Sequence, residues 1–473
     1  MSRRNHIAFV GLGVGISTLM PSLALAQEID QNIVPASASS QYIFNSLLFL
    51  ICGMVVMFMA AGFTMLEVGL VRSKNAATIC VKNIALFSIA SLMVWVTGYN
   101  IIYGVAPGGL MTPLADWFGN VDGRLFWAAD DSDPIGTGYS AHSDWYFQMV
   151  FVATCASIVS GTLAERVKLW PFLIFVVFLT GFIYPIQASW EWGNGFLDSK
   201  FAFSDFAGST LVHSTGGWAA LAGALVLGPR LGKYAGNSIT PMPGSSLPLA
   251  TLGVFILWLG WFGFNGGSQL AAGSLGDIQA ISRIFVNTNT AAAAGVIAAM
   301  VASQIMYQKV DLTMVLNGAI GGLVSITAEP LMPEIYQSVI IGAIGGCIVT
   351  FAVPLLDKLK IDDVVGAIPA HLFCGIWGTL IVVWSNNASI ARRAGEEAGL
   401  SADAIADAMD AAPSFVGQLV GVLMIGSFVF VVSLLVWLVL KFTIGIRVSE
   451  ADEIIGLDRA ELGMEAYPEF AMR

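Results

Sequence analysis

Apolar stretches of about 20 residues, separated by short polar turns, set the pattern of hydrophobic and polar positions along this chain. A helix of about 20 apolar residues is long enough to cross the hydrocarbon core of a membrane. Eleven such stretches occur, and they are centred near Met57, Ile89, Ala153, Phe178, Ala219, Leu257, Gly295, Ala319, Gly345, Gly375 and Val431. The pattern predicts an all-α polytopic membrane protein with eleven transmembrane helices.

The apolar stretch at the start of the chain differs from these eleven. It follows Arg3 and Arg4, runs only from Ile7 to Leu23, and ends in Ala24-Leu25-Ala26. A positive start, a short apolar run and small residues at its end are typical of a cleavable signal peptide. We expect residues 1–26 to be removed, which would leave the mature N-terminus outside. An uncleaved first span is the alternative.

Composition supports this class of fold. Hydrophobic residues make up 56% of the chain and charged residues only 11%, whereas about a quarter of a soluble globular domain is charged. The formal net charge is −11. The placement of the basic residues is more informative, because Lys and Arg collect in the cytoplasmic turns of membrane proteins.

That placement indicates the orientation. From an outside N-terminus, an odd number of spans leaves the C-terminus in the cytoplasm. Eleven Lys and Arg residues then lie in cytoplasmic turns and five lie outside, as expected. The cytoplasmic set is Arg72, Lys74, Arg166, Lys168, Arg230, Lys233, Lys309, Lys358, Lys360, Lys441 and Arg447. The two long outer loops, residues 105–142 and 386–413, are acidic and alanine-rich respectively, and we assign neither a function.

Two histidines lie inside apolar spans, where ionisable residues are rare and usually functional. His213 lies about two turns into the fifth span, which opens with Asp205, and His371 lies in the tenth. A single buried histidine can also be a hydrogen-bonded packing residue. If the first ten spans are two five-helix halves, the odd number inverts the second half relative to the first. The fold would then be two inverted halves plus an eleventh helix, with symmetry-related histidines.

The sequence carries no pattern of an enzyme or of a metal site. The five cysteines all fall in apolar stretches, without a CxxC pair or a metal-ligand spacing. We find neither a Ser/His/Asp set nor a nucleotide-binding loop. We therefore expect no catalytic residue, no metal, no cofactor and no nucleic-acid partner.

Six segments along nearly the whole mature chain carry a family resemblance. They are Gly69–Asn75, Ser160–Arg166, Asp205–Arg230, Gly260–Ser268, Asp362–His371 and Gly445–Val448. The third opens with Asp-Phe-Ala-Gly-Ser-x-x-Val-His. Together and in this order they resemble the ammonium transporter family (Amt/Mep/Rh), and its bacterial Amt branch in particular.

The resemblance implies a homotrimer of eleven-helix protomers in a bacterial inner membrane, each with its own pore for ammonium or ammonia. Methylammonium would serve as a substrate analogue. It also implies a transporter domain, residues 27–447, and a regulatory cytoplasmic tail, residues 448–473. A trimeric P-II signalling protein would dock on that face, with Gly456–Asp458 and Ala466–Tyr467 at the matching tail positions. The usual His-Gly pair of this tail is Leu462-Gly463 here.

The same resemblance assigns residues to the pore. His213 and His371 match paired pore histidines, and imidazoles suit this role because one ring nitrogen can donate while the other accepts. Phe151 and Phe264 match a stacked phenyl gate that would exclude water, with Phe147 one turn before Phe151.

An outer recognition site is implied as well. Trp192 and Ser268 match it, because an indole face attracts a small cation and a hydroxyl accepts an N–H bond that sodium cannot offer. The spacing from Trp192 to Asp205 is one residue longer than the usual pattern, so Trp190 is a competing candidate. Asp205 would support the site electrostatically, and it also suits the N-cap of its helix.

The resemblance implies that ammonium binds outside, loses its proton near Asp205 and passes the gate as ammonia. Carrying the intact ion through a dry constriction would cost about tens of kcal/mol. A separate proton relay would make transport electrogenic, and return of the proton outside would make a gas channel; the resemblance favours net charge movement. An ammonium sensor acting through a P-II-type partner is the main alternative. An intramembrane enzyme and a neutral-solute pore are further ones.

Overall fold

A computed structural model describes residues 37–119, 126–236, 238–397 and 399–470. The predicted signal peptide, residues 1–26, lies outside this range. The described chain is a bundle of helices with one two-stranded antiparallel ribbon, β1 (Tyr234–Ala235) and β2 (Ser238–Ile239). In the ribbon Tyr234 pairs with Ile239.

The long helices follow the apolar stretches of the sequence. They are α1 (Ala38–Leu70), α2 (Ala76–Met93), α3 (Ala141–Thr162), α4 (Leu169–Phe178), α5 (Thr215–Leu227), α6 (Leu247–Gly267), α7 (Leu275–Tyr307), α8 (Leu312–Ile326), α9 (Ile335–Lys358), α10 (Cys374–Ser385) and α11 (Phe415–Thr443). Four are extended by π-helical turns, namely Val94–Gly98 with Tyr99–Tyr103 after α2, Leu179–Ile183 with Tyr184–Ser189 after α4, Ser209–Ser214 before α5, and Ile368–Phe373 before α10.

Shorter elements fill the connections. They are Ser73–Asn75, Leu114–Asp116, Pro134–Thr137, Phe196–Phe201, Ala388–Glu397, Ala402–Asp410, Glu450–Ile455, Asp458–Leu462 and Pro468–Phe470. The polar, alanine-rich loop 386–413 contains two of these short helices, Ala388–Glu397 and Ala402–Asp410.

Ten helical segments of the described chain are long and apolar enough to cross a membrane. The span predicted near Ala319 is α8, which has only 15 residues and falls short of the usual length of a transmembrane helix. Almost every residue of α8 from Met314 to Ile326 is buried, because α7, α9 and α10 pack around it. The count of eleven spans stays a prediction.

Small residues let these helices approach closely. A Cβ atom placed on Gly62 of α1 would lie 3.0 Å from the carbonyl oxygen of Gly253 on α6. A Cβ atom on Gly295 of α7 would lie 3.1 Å from the Cα of Gly322 on α8. Contacts of this kind are how helices pack in a bilayer, where lipid supplies no hydrophobic drive between them.

The C-terminal residues fold back against one end of the bundle, which we call the tail end. Val448 donates its backbone N–H to the carbonyl of Arg166 at 3.2 Å, and Arg447 donates to the carbonyl of Leu227 at 3.0 Å. Leu227 ends α5, whereas Asp205 lies before its other end. The two ends of α5 therefore define an Asp205 end and a tail end of the bundle.

Candidate functional site

The two intramembrane histidines meet inside the bundle. The Nδ1 atoms of His213 and His371 are 3.2 Å apart, and the ring centroids are 5.2 Å apart in a stacked arrangement. Both side chains are buried. At this distance one Nδ1 donates and the other accepts, which leaves one Nε2 as an acceptor and one as a donor. The Nε2 of His213 has no hydrogen-bond partner among the described residues.

A shared local structure presents both rings. Each histidine lies in a π-helical turn, Ser209–Ser214 or Ile368–Phe373, directly before a helix. Gly208 and Gly366 precede these turns with φ angles of 106° and 78°, a backbone region that suits glycine and few other residues. The two turns therefore require glycine at equivalent positions.

A carboxylate precedes each turn at the same spacing. Asp205 and Asp363 each begin the pattern Asp-x-x-Gly-x-x-x-x-His. Asp363 Oδ2 accepts the backbone N–H of Ile368 at 2.7 Å. Sequence reasoning missed this internal repeat, although the spacing alone would have revealed it.

Asp205 binds the first N–H groups of its helix, although the N-cap residue is Gly208 and not Asp205 as the sequence predicts. Its carboxylate accepts the backbone N–H groups of Gly208, Ser209, Thr210 and Leu211 at 2.7 to 3.0 Å. Burial raises the pKa of Asp205 to about 6, and these four donors oppose the rise. These four N–H groups fill the roughly four acceptor positions of the carboxylate.

The phenyl pair stacks beside the histidines. Phe151 and Phe264 lie with ring centroids 4.0 Å apart and planes at 26°, and both are buried. Phe264 contacts His213 at 5.3 Å, and Phe147 packs edge-on against Phe151 at 4.9 Å. The structure thus brings together three of the aromatic residues singled out from the sequence.

Trp192 rather than Trp190 adjoins the phenyl pair. The indole of Trp192 lies edge-on to Phe151 at 6.0 Å, and its Nε1 donates to the carbonyl of Asp205 at 3.1 Å. Trp190 instead packs against Phe428 at 5.0 Å and is buried. The geometry therefore favours Trp192 for the outer position.

Ser268 follows directly after α6, at the Asp205 end. Its hydroxyl donates to the carbonyl of Phe264 at 2.8 Å, which turns the oxygen lone pairs away from the backbone. A hydroxyl oxygen held in this way can accept a hydrogen bond from a guest.

Two further side chains of this region escaped the sequence analysis. Trp261 stacks on His213 at 4.9 Å and donates from its Nε1 to Thr327 at 2.8 Å, so it fixes the ring that it covers. Glu191 accepts the N–H of Asp205 at 3.3 Å. Burial and then the charge of Asp205 raise the pKa of Glu191 well above its ordinary value, which favours its protonated form.

A cavity lies on the other face of the histidine pair. His371 lines it together with Phe63, Glu67, Ser157 and Asn317. Phe63 contacts the His371 ring at 6.1 Å, whereas Phe264 contacts the His213 ring. The order from the Asp205 end is therefore tryptophan, phenyl pair, two histidines and cavity. No cluster of three or more His, Cys, Asp or Glu side chains that could hold a metal occurs among the described residues.

Comparison with known proteins gives one family. The sequence matches the model of the Ammonium Transporter Family over residues 47–467. Ammonium transporter Amt2 of Archaeoglobus fulgidus is 40% identical over 431 residues, which cover 89% of this chain and 87% of the relative. Ammonium transporter Amt1 of Haloferax mediterranei is 34% identical over 461 residues, which cover 94% of this chain and 82% of the relative.

Solved structures of Amt and Mep proteins are also similar to this chain. A structure described as a sensor Amt protein has a TM-score of 0.77 and 34% identity, over 89% of this chain and 98% of that chain. The crystal structure of Candida albicans Mep2 has a TM-score of 0.75 and 26% identity, over 94% of this chain and 93% of that chain. The sequence relatives are named as transporters and not as enzymes.

Proposed function

The chain belongs to the ammonium transporter family and is a multi-pass membrane protein, and from this premise we propose a mechanism for its transport of ammonium. Ammonium binds at the Asp205 end, gives up a proton there, and continues as ammonia. Ammonia then passes the phenyl pair and moves along the two histidines to the tail end.

The contact between the two histidines carries this proposal. Linked through Nδ1 atoms 3.2 Å apart, the pair exposes one donor and one acceptor nitrogen to the conduit. Ammonia can both donate and accept, so it finds a partner at each ring. A buried pair of this kind serves a small polar molecule better than it serves an ion, because an intact ion would need a counter-charge.

The aromatic residues support a dehydrating entrance. The face of Trp192 offers a cation about 0.5–2 kcal/mol of attraction, and the Ser268 oxygen can accept one N–H bond. Phe151 and Phe264 stack at 4.0 Å, and Phe264 contacts the ring of His213, so two apolar rings adjoin the histidine pair on this side. Crossing such a constriction as an ion would cost about tens of kcal/mol, whereas ammonia avoids most of that cost.

The released proton would follow a separate relay, so that transport is electrogenic. Asp205 and Glu191 form the acidic pair nearest to the site of deprotonation, and burial raises the pKa of both. A raised pKa lets a carboxylate hold a proton near neutral pH. Each turnover would then move one net positive charge.

The proposed setting is a bacterial inner membrane, with the signal peptide 1–26 removed. We propose that α8 is the eleventh span: it is enclosed by α7, α9 and α10, so its 15 residues need not match the lipid. The repeated Asp-x-x-Gly-x-x-x-x-His segments support two inverted halves. With the Asp205 end outside, the tail end is cytoplasmic.

We also propose a homotrimer and a P-II contact at the tail end. We keep the domain limits 27–447 and 448–473; the second domain begins shortly after α11 ends at Thr443. Asp458 is buried against its own chain, whereas Ile454, Met464 and Tyr467 are exposed. A P-II protein would therefore meet the exposed side chains, and Gly456 and Asp458 would hold the tail in place for it.

The alternative is an ammonium sensor. We retain this hypothesis because the chain is 34% identical to a protein whose structure is described as a sensor Amt protein. A sensor would bind ammonium and change the tail without net flux. Transport measurements separate the two functions.

The test is methylammonium uptake in a strain without its own ammonium transport. Replacing His213 or His371 with Ala should reduce uptake to background or change its selectivity, since the donor and acceptor pair is lost. His142→Ala is the matched control because that ring is largely exposed, with 72% side-chain exposure. Wild-type binding without uptake would favour the sensor, and unchanged uptake in both pore variants would remove the histidine role.

The electrogenic step has its own measurement. Wild-type protein in proteoliposomes should give an inward current after an ammonium jump. Ammonia flux without current would rule out the relay and leave a gas channel.

A further inference from the structure

A buried carboxylate lies on the tail side of the histidine pair. Glu67 of α1 is only 1% exposed and lines the same cavity as His371. Phe63, Ile320 and Val365 supply apolar walls of that cavity. Ammonia that leaves His371 therefore enters a space in which a carboxyl group is at hand.

Glu67 belongs to a small polar cluster inside the membrane. Its Oε2 accepts the hydroxyl of Ser160 at 2.7 Å, and its Oε1 accepts the amide of Asn83 at 3.2 Å. Lys82 is also 1% exposed and donates to the carbonyl of Ser160 at 2.9 Å. Ser160 thus bridges the acid and the base through its hydroxyl and its carbonyl.

The cluster has spare bonding capacity. A carboxylate offers about four acceptor positions, and the described hydrogen bonds to Glu67 occupy two. The Oδ1 atom of Asn83 is buried and has no partner among the described residues. The Glu67 carboxylate can therefore accept a proton without losing either of these two hydrogen bonds.

A purely structural role explains these residues poorly. Removing an acid and a base from water costs more free energy than their attraction supplies, unless their geometry is excellent. Apolar residues of similar size in the same place often make a protein equally stable or more stable. The ammonium group of Lys82 also lies 4.7 Å from the centre of the Phe172 ring, which keeps a positive charge near Glu67. Ionisable groups that persist inside a membrane usually mark a path for ions or protons.

We propose that Glu67 is the proton-exchange residue at the tail end of the conduction path. The inference rests on the proposed electrogenic function. The relay delivers the proton lost by ammonium to the Glu67 carboxylate, which becomes a carboxylic acid. That acid then gives its proton to ammonia arriving past His371. Ammonium leaves toward the tail end, and the carboxylate is restored.

This arrangement assigns roles to the neighbours as well. Lys82 balances the carboxylate charge after ammonium departs, and the Ser160 hydroxyl holds Oε2 in one orientation. Both are positioning residues because they act through Glu67. The charge inside the cluster thus changes only by the proton that Glu67 carries.

The experiment measures current and ammonia flux separately in proteoliposomes that contain Glu67→Gln. Glutamine keeps the size and the acceptor oxygen but cannot carry the proton. We expect the ammonium-evoked current to fall about a hundredfold, the usual order of a general acid–base contribution. Ammonia flux, followed as uptake of labelled methylammonium, should stay near the wild-type rate. The lumen should turn alkaline in Glu67→Gln but not in the wild type, because ammonia arrives with its proton only in the wild type. Glu67→Asp should restore part of the current, and Glu450→Gln, an exposed change of the same kind, should leave both readouts unchanged.

The outcomes separate this inference from the function beneath it. An undiminished current in Glu67→Gln overturns the role of Glu67, and so does an equal loss of current and flux in folded protein, since that would mark a structural residue. Absence of current in the wild type would instead overturn the electrogenic function, and the inference with it. Should Glu67→Gln alone not fold, Glu67→Gln with Lys82→Met removes both charges of the pair and must show the same selective loss of current.

Discussion

Residues of the proposed conduction path are held by hydrogen bonds that leave the atoms assigned to substrate contact without a partner. His213 uses Nδ1 for its partner ring and leaves Nε2 open. Ser268 donates its hydroxyl to a backbone carbonyl and keeps its lone pairs. Trp192 anchors its Nε1 on the carbonyl of Asp205 and keeps its ring faces. Each side chain is therefore fixed in orientation before substrate arrives.

Trp192 should set the apparent affinity for ammonium. Replacing it with Leu removes the indole face, and a cation–π contact is worth about 0.5–2 kcal/mol. The half-saturating ammonium concentration should therefore rise about two- to thirtyfold. The maximal rate should change much less, because the histidine path is untouched. Concentration dependence of the current in proteoliposomes measures both.

Trp190→Leu is the control for this prediction. Trp190 packs on Phe428 and donates to the carbonyl of Leu110 at 2.7 Å, so its loss should lower thermal stability and leave affinity nearly unchanged. The reverse pattern, a large loss of affinity in Trp190→Leu alone, would move the recognition site to that residue.

At the scale of helices, hydropathy alone recovers most of the bundle. Ten of the eleven predicted spans correspond to helices of sufficient length and apolarity. The exception is α8, which has only 15 residues and is almost entirely buried within the bundle. The repeat that presents His213 and His371 was also readable, since Asp205 and Asp363 stand at equal spacing from them.

Other parts of the site could not be derived from the order of residues. In the sequence, Lys82 and Glu67 are single charged residues within apolar spans. Only in the folded structure do both form hydrogen bonds with Ser160 of α3. The stacking of Trp261 on His213 likewise joins two helices whose relative rotation no single segment specifies. Contacts between side chains on different helices can be identified only in the packed structure. Hydrophobic periodicity and motif spacing, by contrast, can be found in a single segment of the sequence.

The start of α2 depends on the tail. The Asp458 carboxylate accepts the backbone N–H groups of Ala77 and Thr78 at 2.9 and 2.8 Å, and the Thr78 hydroxyl at 2.8 Å. Asp458→Asn should weaken this cap by about 1–2 kcal/mol, as a charged acceptor at a helix N-terminus is lost. We expect faster proteolytic cleavage of the tail and a lower thermal midpoint in detergent.

Glu469→Gln is the matched control for the tail. It removes the same charge as Asp458→Asn, but from an exposed side chain. Cleavage of Asp458→Asn at the wild-type rate would mean that the tail is held by other contacts, such as the bond from the Leu457 N–H to Asn75 at 2.9 Å.

On the scale of the whole molecule, buried charges join the loops at the tail end. Glu165 pairs with Arg72 at 2.5 Å, and Arg230 pairs with Asp362 at 2.9 Å. Arg166 donates to the carbonyl of Asp362 at 2.6 Å. These contacts connect the turns that follow α1, α3, α5 and α9. The tail also bonds to the backbone of Arg166, so these contacts connect the four turns and the tail in one network.

Asp362 should make the stability of this end depend on pH. Burial would raise its pKa, but the hydrogen bonds from Arg230 and the charges of Arg166 and Arg230 outweigh burial and hold the pKa well below its usual range. A depressed pKa in the folded state contributes stability that is fully present above the unfolded value of about 3.9. That contribution is lost as the pH falls toward the folded value. The thermal midpoint of the wild type in detergent should therefore drop between about pH 5 and pH 3.

Asp362→Asn separates this effect from general acid denaturation. The variant leaves the buried guanidinium of Arg230 with only its longer contact to Glu165, at 3.5 Å. The cost should therefore be smaller than the roughly 3–5 kcal/mol of a buried charge that has lost its partner. Its midpoint should be low already at neutral pH and should fall less than that of the wild type on acidification. The exposed control Asp403→Asn should follow the wild-type curve at every pH. A neutral-pH midpoint of Asp362→Asn equal to the wild type would mean that the charge of Asp362 does not help to hold the four turns together.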